Sequence, residues 1–391
     1  MQGVKQDFAA LTTLRAIGAL CVVEHHCWLF VYPAWPRSWI VPGFQLWPDY
    51  FFILSGFILT HVYGKTLRHG GRDEVFNYFV HRIARVYPLH LAVLVMLVGL
   101  ESIRLLMAQH AGLETRGRYF VDSTSPRYIL TNLLLVQAWG IQHMNSWNMP
   151  AWSISAEFAC YLAFPMMLNH ELASKPRRAA LLATISACGL TWIQLSRHTF
   201  DVTFDLGVPR AFFSFSIGCV LYHYRHVLLN AVAFIPATAL QSSIVAGVLA
   251  AYAVNAPGLA FIPLWVALIA AMTRENGLPA KILAWPPLVA MGERSYSYYM
   301  THVLVIWAML LTKAAAPATF GQFLEWPSLA ILAAILGTTI GISEWTYRYI
   351  EKPGRAWVRR RLSRHQICKT RQWDDVANPT GAHESLAKTA R

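Results

Sequence analysis

The chain has 391 residues, 55% of them hydrophobic and only 14% charged, where a soluble domain carries about 25% charged residues. That balance and a mean hydropathy of +0.38 exclude a soluble globular protein and describe a polytopic membrane protein. The formal net charge of +13 invites a nucleic-acid reading. Most Lys and Arg, however, fall in alternate loops and in the tail, so no nucleic-acid partner is expected.

The first apolar run, 8–32, contains LTTLRAIGALCVVEHHCWLF. It follows an N-terminus without a small-residue cleavage site, so it is expected to stay as the first span. Arg15, Glu24, His25 and His26 lie within it, although a charge near the bilayer centre costs at least ~2.5–3.5 kcal/mol on insertion scales. Arg15 and His26 are eleven positions apart. That is about three helical turns, so they share one face roughly 16 Å apart, with Gly18 and Val22 on the same stripe. Glu24 points to the opposite face, and His25 is turned away from His26. The stripe sets a fixed cation near the cytoplasmic end and an imidazole deep in the membrane. Such a layout suits a cofactor with phosphates at the entrance and a reactive end inside. The structural alternatives are interfacial anchoring by Arg15 and histidine hydrogen bonds to a neighbouring helix.

The second run, 46–64, reads WPDYFFILSGFILTHVYG. Asp49 is expected to cap its start, and Ser55 and Gly56 permit close helix approach. The third run, 86–107, is preceded by HRIARVYP, which sets Arg82 and Arg85 on one face at the cytoplasmic mouth of the span. Guanidinium forks suit phosphate groups, although positive-inside loops also generate such pairs. The stretch YILTNLLLVQAW, 128–139, is too short to span and is expected to be interfacial or re-entrant.

The run 152–170 carries Glu157 within its first turns, where it can orient a histidine, accept a proton or pair with an arginine. Runs at 178–197, 209–226, 231–253 and 257–273 follow. The run 295–313 opens with the polar groups Arg294, Ser295 and Tyr296 and carries His302 further along. The last run, 327–350, ends at Glu351, Lys352 and Pro353, which punctuate the helix end.

Together these runs predict an all-α integral membrane protein of about ten transmembrane helices. The segments 65–85, 171–178 and 274–294 and the tail hold more Lys and Arg than the opposite loops, where Arg37, Arg116, Arg118, Arg127, Arg197 and Lys313 lie. Both termini are therefore expected in the cytoplasm. Residues 1–353 form the expected membrane domain. The tail 354–391 is basic and then polar, its basic part suited to anionic lipid headgroups and its end to disorder. The six cysteines contain no CxxC pair and read as packing residues, and no metal site is expected. No internal repeat is evident, which disfavours an inverted-repeat transporter.

In chain order, these stretches resemble the acyltransferase 3 family of integral membrane acyltransferases, over about residues 10 to 353. The family's arginine, followed eleven residues later by histidine, corresponds to Arg15 and His26. Its Asp-x-Phe-Phe-x-Leu-Ser-Gly-Phe run corresponds to Asp49 through Phe57. Its arginine pair before Tyr-Pro corresponds to Arg82, Arg85, Tyr87 and Pro88. The Trp-Ser-Leu-Ser-x-Glu segment matches Trp152 to Glu157, the Ser-Tyr-Ser-x-Tyr-x-x-His segment matches Ser295 to His302, and Glu-x-Pro matches Glu351 to Pro353. Two positions depart: Ala16 stands where glycine is usual, and Phe158 where a second glutamate is common, which leaves Glu157 alone.

The resemblance implies acyl-CoA, acetyl-CoA first, as donor substrate, with no tightly bound cofactor, and a sugar hydroxyl as acceptor. Arg82, Arg85 and Arg15 would hold the donor phosphates. His26 would act as general base or as nucleophile, with Glu157 and His302 as further catalytic candidates. The expected acceptor is an exported polysaccharide or other glycan. Polysaccharide synthesis or export proteins are expected partners, and the cell inner membrane the location. Some relatives carry a fused extracytoplasmic hydrolase-like domain, which this chain is expected to lack. The alternatives are a macrolide O-acyltransferase and, from another class, a secondary transporter or flippase, in which intramembrane charges mark the substrate path.

Overall fold

The computed structural model describes residues 8–30, 43–111 and 119–363. Among them the backbone is helical or irregular and contains no strand. Each apolar run read from the sequence falls on a helix: α1 (Ala9–Phe30), α2 (Trp47–His69), α3 (Arg72–Ala111), α5 (Trp152–Asn169), α6 (Pro176–Arg197), α7 (Gly207–Ala231), α8 (Ala237–Ala253), α9 (Gly258–Met272), α12 (Ser295–Ala315) and α14 (Ser328–Thr346). Short helices lie between them: α4 (Arg127–Leu133), α10 (Leu278–Leu283), α11 (Pro286–Glu293) and α13 (Pro317–Leu324). A π-helical turn, Tyr347–Glu351, joins α14 to α15 (Lys352–Leu362).

Four stretches among the described residues are long and apolar enough to cross a membrane: Arg72–His110, Met149–Asn169, Pro176–Arg197 and Leu329–Leu362. The chain is therefore a helical membrane protein. Helices α1, α2 and α7 are of comparable length, at 22, 23 and 25 residues, but carry ionisable side chains such as Arg15, Asp49 and Arg210. Those groups lower the apolar character of their segments without shortening them.

The expectation for 65–85 changes in the structure. The segment 65–85 is not a loop: α2 runs on to His69, and α3 begins at Arg72 with Asp73 and Glu74 in its first turn. Acidic side chains at a helix N-terminus favour that start, and α3 continues through Pro88 for 40 residues. Arg82 and Arg85 thus sit inside a helix. The basic residues after 351 also begin as a helix, α15, in which Gly354 packs against Pro88 of α3. The tail beyond 363, and with it Cys368, lies outside the described residues, as do Arg37, Arg116 and Arg118.

The run 128–139 forms the seven-residue α4 and a turn. Polar side chains from this region are buried, with Asn132 Nδ2 donating to the Tyr128 carbonyl at 2.8 Å and to Ser146 Oγ at 2.9 Å. It is a folded-in connection rather than a span.

Helices α2 and α7 make the tightest helix pair. A Cβ on Gly56 would lie 2.1 Å from the Phe215 carbonyl oxygen, and one on Gly218 only 1.9 Å from that of Ile53. Backbone meets backbone at both points, so neither side can yield by a rotamer change. Gly218→Val is expected to cost at least ~1–3 kcal/mol through overpacking, read as a lower thermal unfolding midpoint in detergent; an unchanged midpoint would mean the helices are not this close.

Asp49 does not cap α2; no side chain caps that helix start. Its carboxylate instead accepts from Arg210 Nη2 at 2.6 Å, from Arg210 Nε at 3.2 Å and from Ser214 Oγ at 3.1 Å. Asp49 is 1% exposed and Arg210 fully buried. A second buried carboxylate, Glu351, accepts from Arg85 Nη1 at 2.9 Å and also from Arg355 and the Ser297 hydroxyl, tying α15 to α3 and α12.

Candidate active site

Helices α1, α2, α3, α5 and α12 enclose a cavity of about 150 Å³. Its lining includes Arg15 and Ala19 of α1, Ser55 of α2, Arg82 and Arg85 of α3, Glu157 and Tyr161 of α5, and Tyr296 and Tyr299 of α12. Four of the six site residues expected from the sequence therefore converge on one space. Arg15 and Ala19, one helical turn apart, present one face of α1. Arg82 and Arg85, three apart on α3, present another.

The three guanidinium groups are held in different ways. Arg82 donates from Nη2 to the Tyr63 hydroxyl at 3.0 Å. Its guanidinium lies over the Tyr63 ring at 5.1 Å and the Tyr161 ring at 5.6 Å, so aromatic faces fix the cation. Arg85 is fixed by Glu351 and lies over Tyr296 at 5.3 Å. The buried Nε of Arg15 has no hydrogen-bond partner, and its charge lies within reach of Arg85 and Glu157. Ser55 and Tyr161 face the Glu157 carboxylate. Three cations against one carboxylate make the lining complementary to an anion.

His26 and His302 are brought together beside the cavity and do not line it. His302 Nε2 lies 3.1 Å from His26 Nδ1, with the rings stacked at 5.1 Å and 22°. His302 is fully buried. The network assigns the tautomers. His302 Nδ1 lies 3.3 Å from the Tyr298 carbonyl oxygen, which can only accept, so that nitrogen carries the proton. A neutral His302 then presents the Nε2 lone pair, and His26 Nδ1 must be the donor to it. The unprotonated nitrogen of His26 is therefore Nε2, the form a base or nucleophile needs.

Tyr299 separates the two groups. It lines the cavity, contacts His302 edge-on at 6.0 Å and meets Phe51 at 6.2 Å. Its hydroxyl is 2.7 Å from Ser153 Oγ. In the sequence Tyr299 stands only as the second tyrosine of the Ser-Tyr-Ser-x-Tyr-x-x-His pattern, Arg210 is not singled out, and Glu351 reads as helix punctuation. The Arg85 and Arg210 contacts span 266 and 161 positions, which no local pattern reveals.

The acyltransferase 3 model, described as "Acyltransferase domain", matches residues 8–348. The chain is 26% identical over 93% of its length to "Putative peptidoglycan O-acetyltransferase YrhL" of Bacillus subtilis, and 22% identical over 88% to "Putative O-acetyltransferase SACOL0978" of Staphylococcus aureus. It spans 57% of the length of each of these curated relatives. "Acyltransferase MdmB" of Streptomyces mycarofaciens is 35% identical over 30% of the chain and 26% of its own length. No solved structure matches the chain significantly. Because the model match runs over nearly the whole chain, across the helices that build the cavity and the histidine pair, the chain belongs to the acyltransferase 3 family.

Proposed function

We propose that the protein is a membrane-bound O-acyltransferase that moves an acyl group, acetyl first, from acyl-CoA to a hydroxyl of an exported glycan. The observation that carries this reading is the convergence of Arg15, Arg82 and Arg85 on one cavity, with the paired His26 and His302 behind the Tyr299 wall. Coenzyme A is anionic and cytoplasmic. With ten spans and both termini in the cytoplasm, as the loop charges favour, α3 rises from the inner face and sets Arg82 and Arg85 toward that side. An exported acceptor fits a protein of the cell inner membrane. The name of the B. subtilis relative makes peptidoglycan the first acceptor to try.

In this reading the donor phosphates rest on the guanidinium groups and the thioester extends toward α12. Tyr299 must yield for the thioester to reach the histidines. His26 Nε2 takes the proton of the acceptor hydroxyl as its oxygen attacks the thioester carbonyl. The new C–O bond forms, the C–S bond breaks, and the proton passes to the departing thiolate. The alternative route forms an acyl-histidine first. His302 holds the His26 tautomer in either case, and Glu157 orders the arginines around the donor.

The test is turnover of radiolabelled acetyl-CoA by the protein in nanodiscs with a peptidoglycan fragment as acceptor. Arg82→Gln and Arg85→Gln are each expected to raise the donor KM about 10- to 100-fold, the worth of one charge-assisted hydrogen bond, with a smaller fall in kcat. Absence of turnover with acetyl, succinyl and longer donors would overturn the reading.

A further inference from the structure

A second cavity, of about 260 Å³, lies where the ends of α6 and α8 meet the turns that open α2 and α9. Its polar lining is Gln45, Gln194, His198, Thr199, Asp201 and Asn255, over Phe200 and Phe261. His198, Thr199, Asp201 and Asn255 are exposed and form the rim; Gln45 and Gln194 are half-buried. The side-chain Oε1 atoms of Gln45 and Gln194 are buried and accept no hydrogen bond. A buried acceptor left unpaired costs about 1–3 kcal/mol, so two in one cleft call for a ligand that brings donors.

The chemistry narrows that ligand. Among the described residues no Lys or Arg lines the cleft, and Asp201 stands at its rim, so a phosphate or carboxylate is disfavoured. Hydroxyl groups suit it, because each can donate to an amide oxygen and accept from an amide N–H. The cleft also adjoins the reacting centre. Asp201 lies within electrostatic range of His25, and the His25 ring is 5.4 Å from that of His26. A series of neighbouring side chains therefore runs from the arginine cavity through Tyr299, His302, His26 and His25 toward Asp201 of this cleft.

We propose that the cleft is the acceptor subsite and takes one ring of a neutral or amino-sugar glycan, its hydroxyls donating to Gln45, Gln194 and Asp201. This rests on the acyltransferase reading for the word acceptor; binding of the sugar does not. The two substrates then bind in separate cavities, the anionic donor among the arginines and the hydroxyl-bearing acceptor on the Asp201 side of His25. Their opposite linings keep each substrate out of the other's site.

The experiment is binding of chitotetraose, an N-acetylglucosamine oligomer, to the full chain in nanodiscs by saturation-transfer NMR, without acetyl-CoA. Gln194→Leu and Asp201→Asn, on different segments, are each expected to weaken binding about tenfold, while Arg82→Gln leaves it unchanged. Thermal midpoints of the same preparations confirm folding. No binding by the wild type, equal binding in all variants, or loss in Arg82→Gln alone would overturn the proposal. Gln194-dependent binding in a protein that never turns over acetyl-CoA would remove the transferase reading and leave the cleft as a sugar site.

Discussion

His26→Ala is expected to lower acyl transfer about 10²–10⁴-fold, the range for loss of a positioned general base, and further if the histidine is the nucleophile. Acetyl-CoA binding should remain near wild type, because His26 does not line the arginine cavity. The effect is large because the tautomer chain from the Tyr298 carbonyl through His302 leaves Nε2 of His26 as the basic atom. His302→Ala removes only the group that holds this tautomer, so its loss should be smaller than that of His26→Ala. Single-turnover rates with radiolabelled acetyl-CoA and a glycan acceptor measure both. Label retained on wild-type protein but absent from His26→Ala assigns the covalent route. Full-rate transfer by a folded His26→Ala protein would remove His26 from the chemistry.

Asp49→Ala should be the most destabilising single substitution described. Arg210 keeps only the Val202 carbonyl at 3.1 Å and the Gln45 carbonyl at 3.4 Å once the carboxylate is gone. Removing one partner of a buried ion pair costs about 3–5 kcal/mol, because the remaining charge stays desolvated. The pair joins α2 to α7, and Arg210 also lies over the rings of Trp152 and Phe200, at 5.3 and 5.2 Å. Three segments would loosen together. Asp49→Leu combined with Arg210→Met, which removes both charges, should unfold at a higher temperature than either single variant. Thermal unfolding in detergent decides this, and an unchanged midpoint for Asp49→Ala would contradict it.

Much of the site is legible in the sequence wherever the message is periodic. The eleven-position separation of Arg15 and His26 fixes one helical face, and the three-position separation of Arg82 and Arg85 fixes another. The structure puts both arginine sets on the same cavity, and the close-packing reading of Gly56 is met by the Phe215 backbone. What stays hidden is pairing across the bundle. Asp49 near a helix start looks like a cap until Arg210, 161 positions away, reaches it. Glu351 looks like punctuation until α15 folds back on α3. The sequence stripe also set Arg15 and His26 to serve one ligand together. In the structure Arg15 lines the arginine cavity, while His26 lies beside it, paired with His302. The apolar runs are legible and each falls on a helix, but the inward charges that make the site blur the hydropathy of the helices that carry them.

The proposed role of the arginine cavity, holding a CoA-bearing donor, is open to titration of CoA into the protein in nanodiscs. Saturable binding is expected, about tenfold weaker for 3′-dephospho-CoA and for Arg85→Gln, and weaker again at high salt, as phosphate contacts to fixed cations require. No CoA binding in folded protein, together with flux of a small solute through proteoliposomes that depends on Arg82 and Arg85, would contradict it and make the cavity part of a transport path.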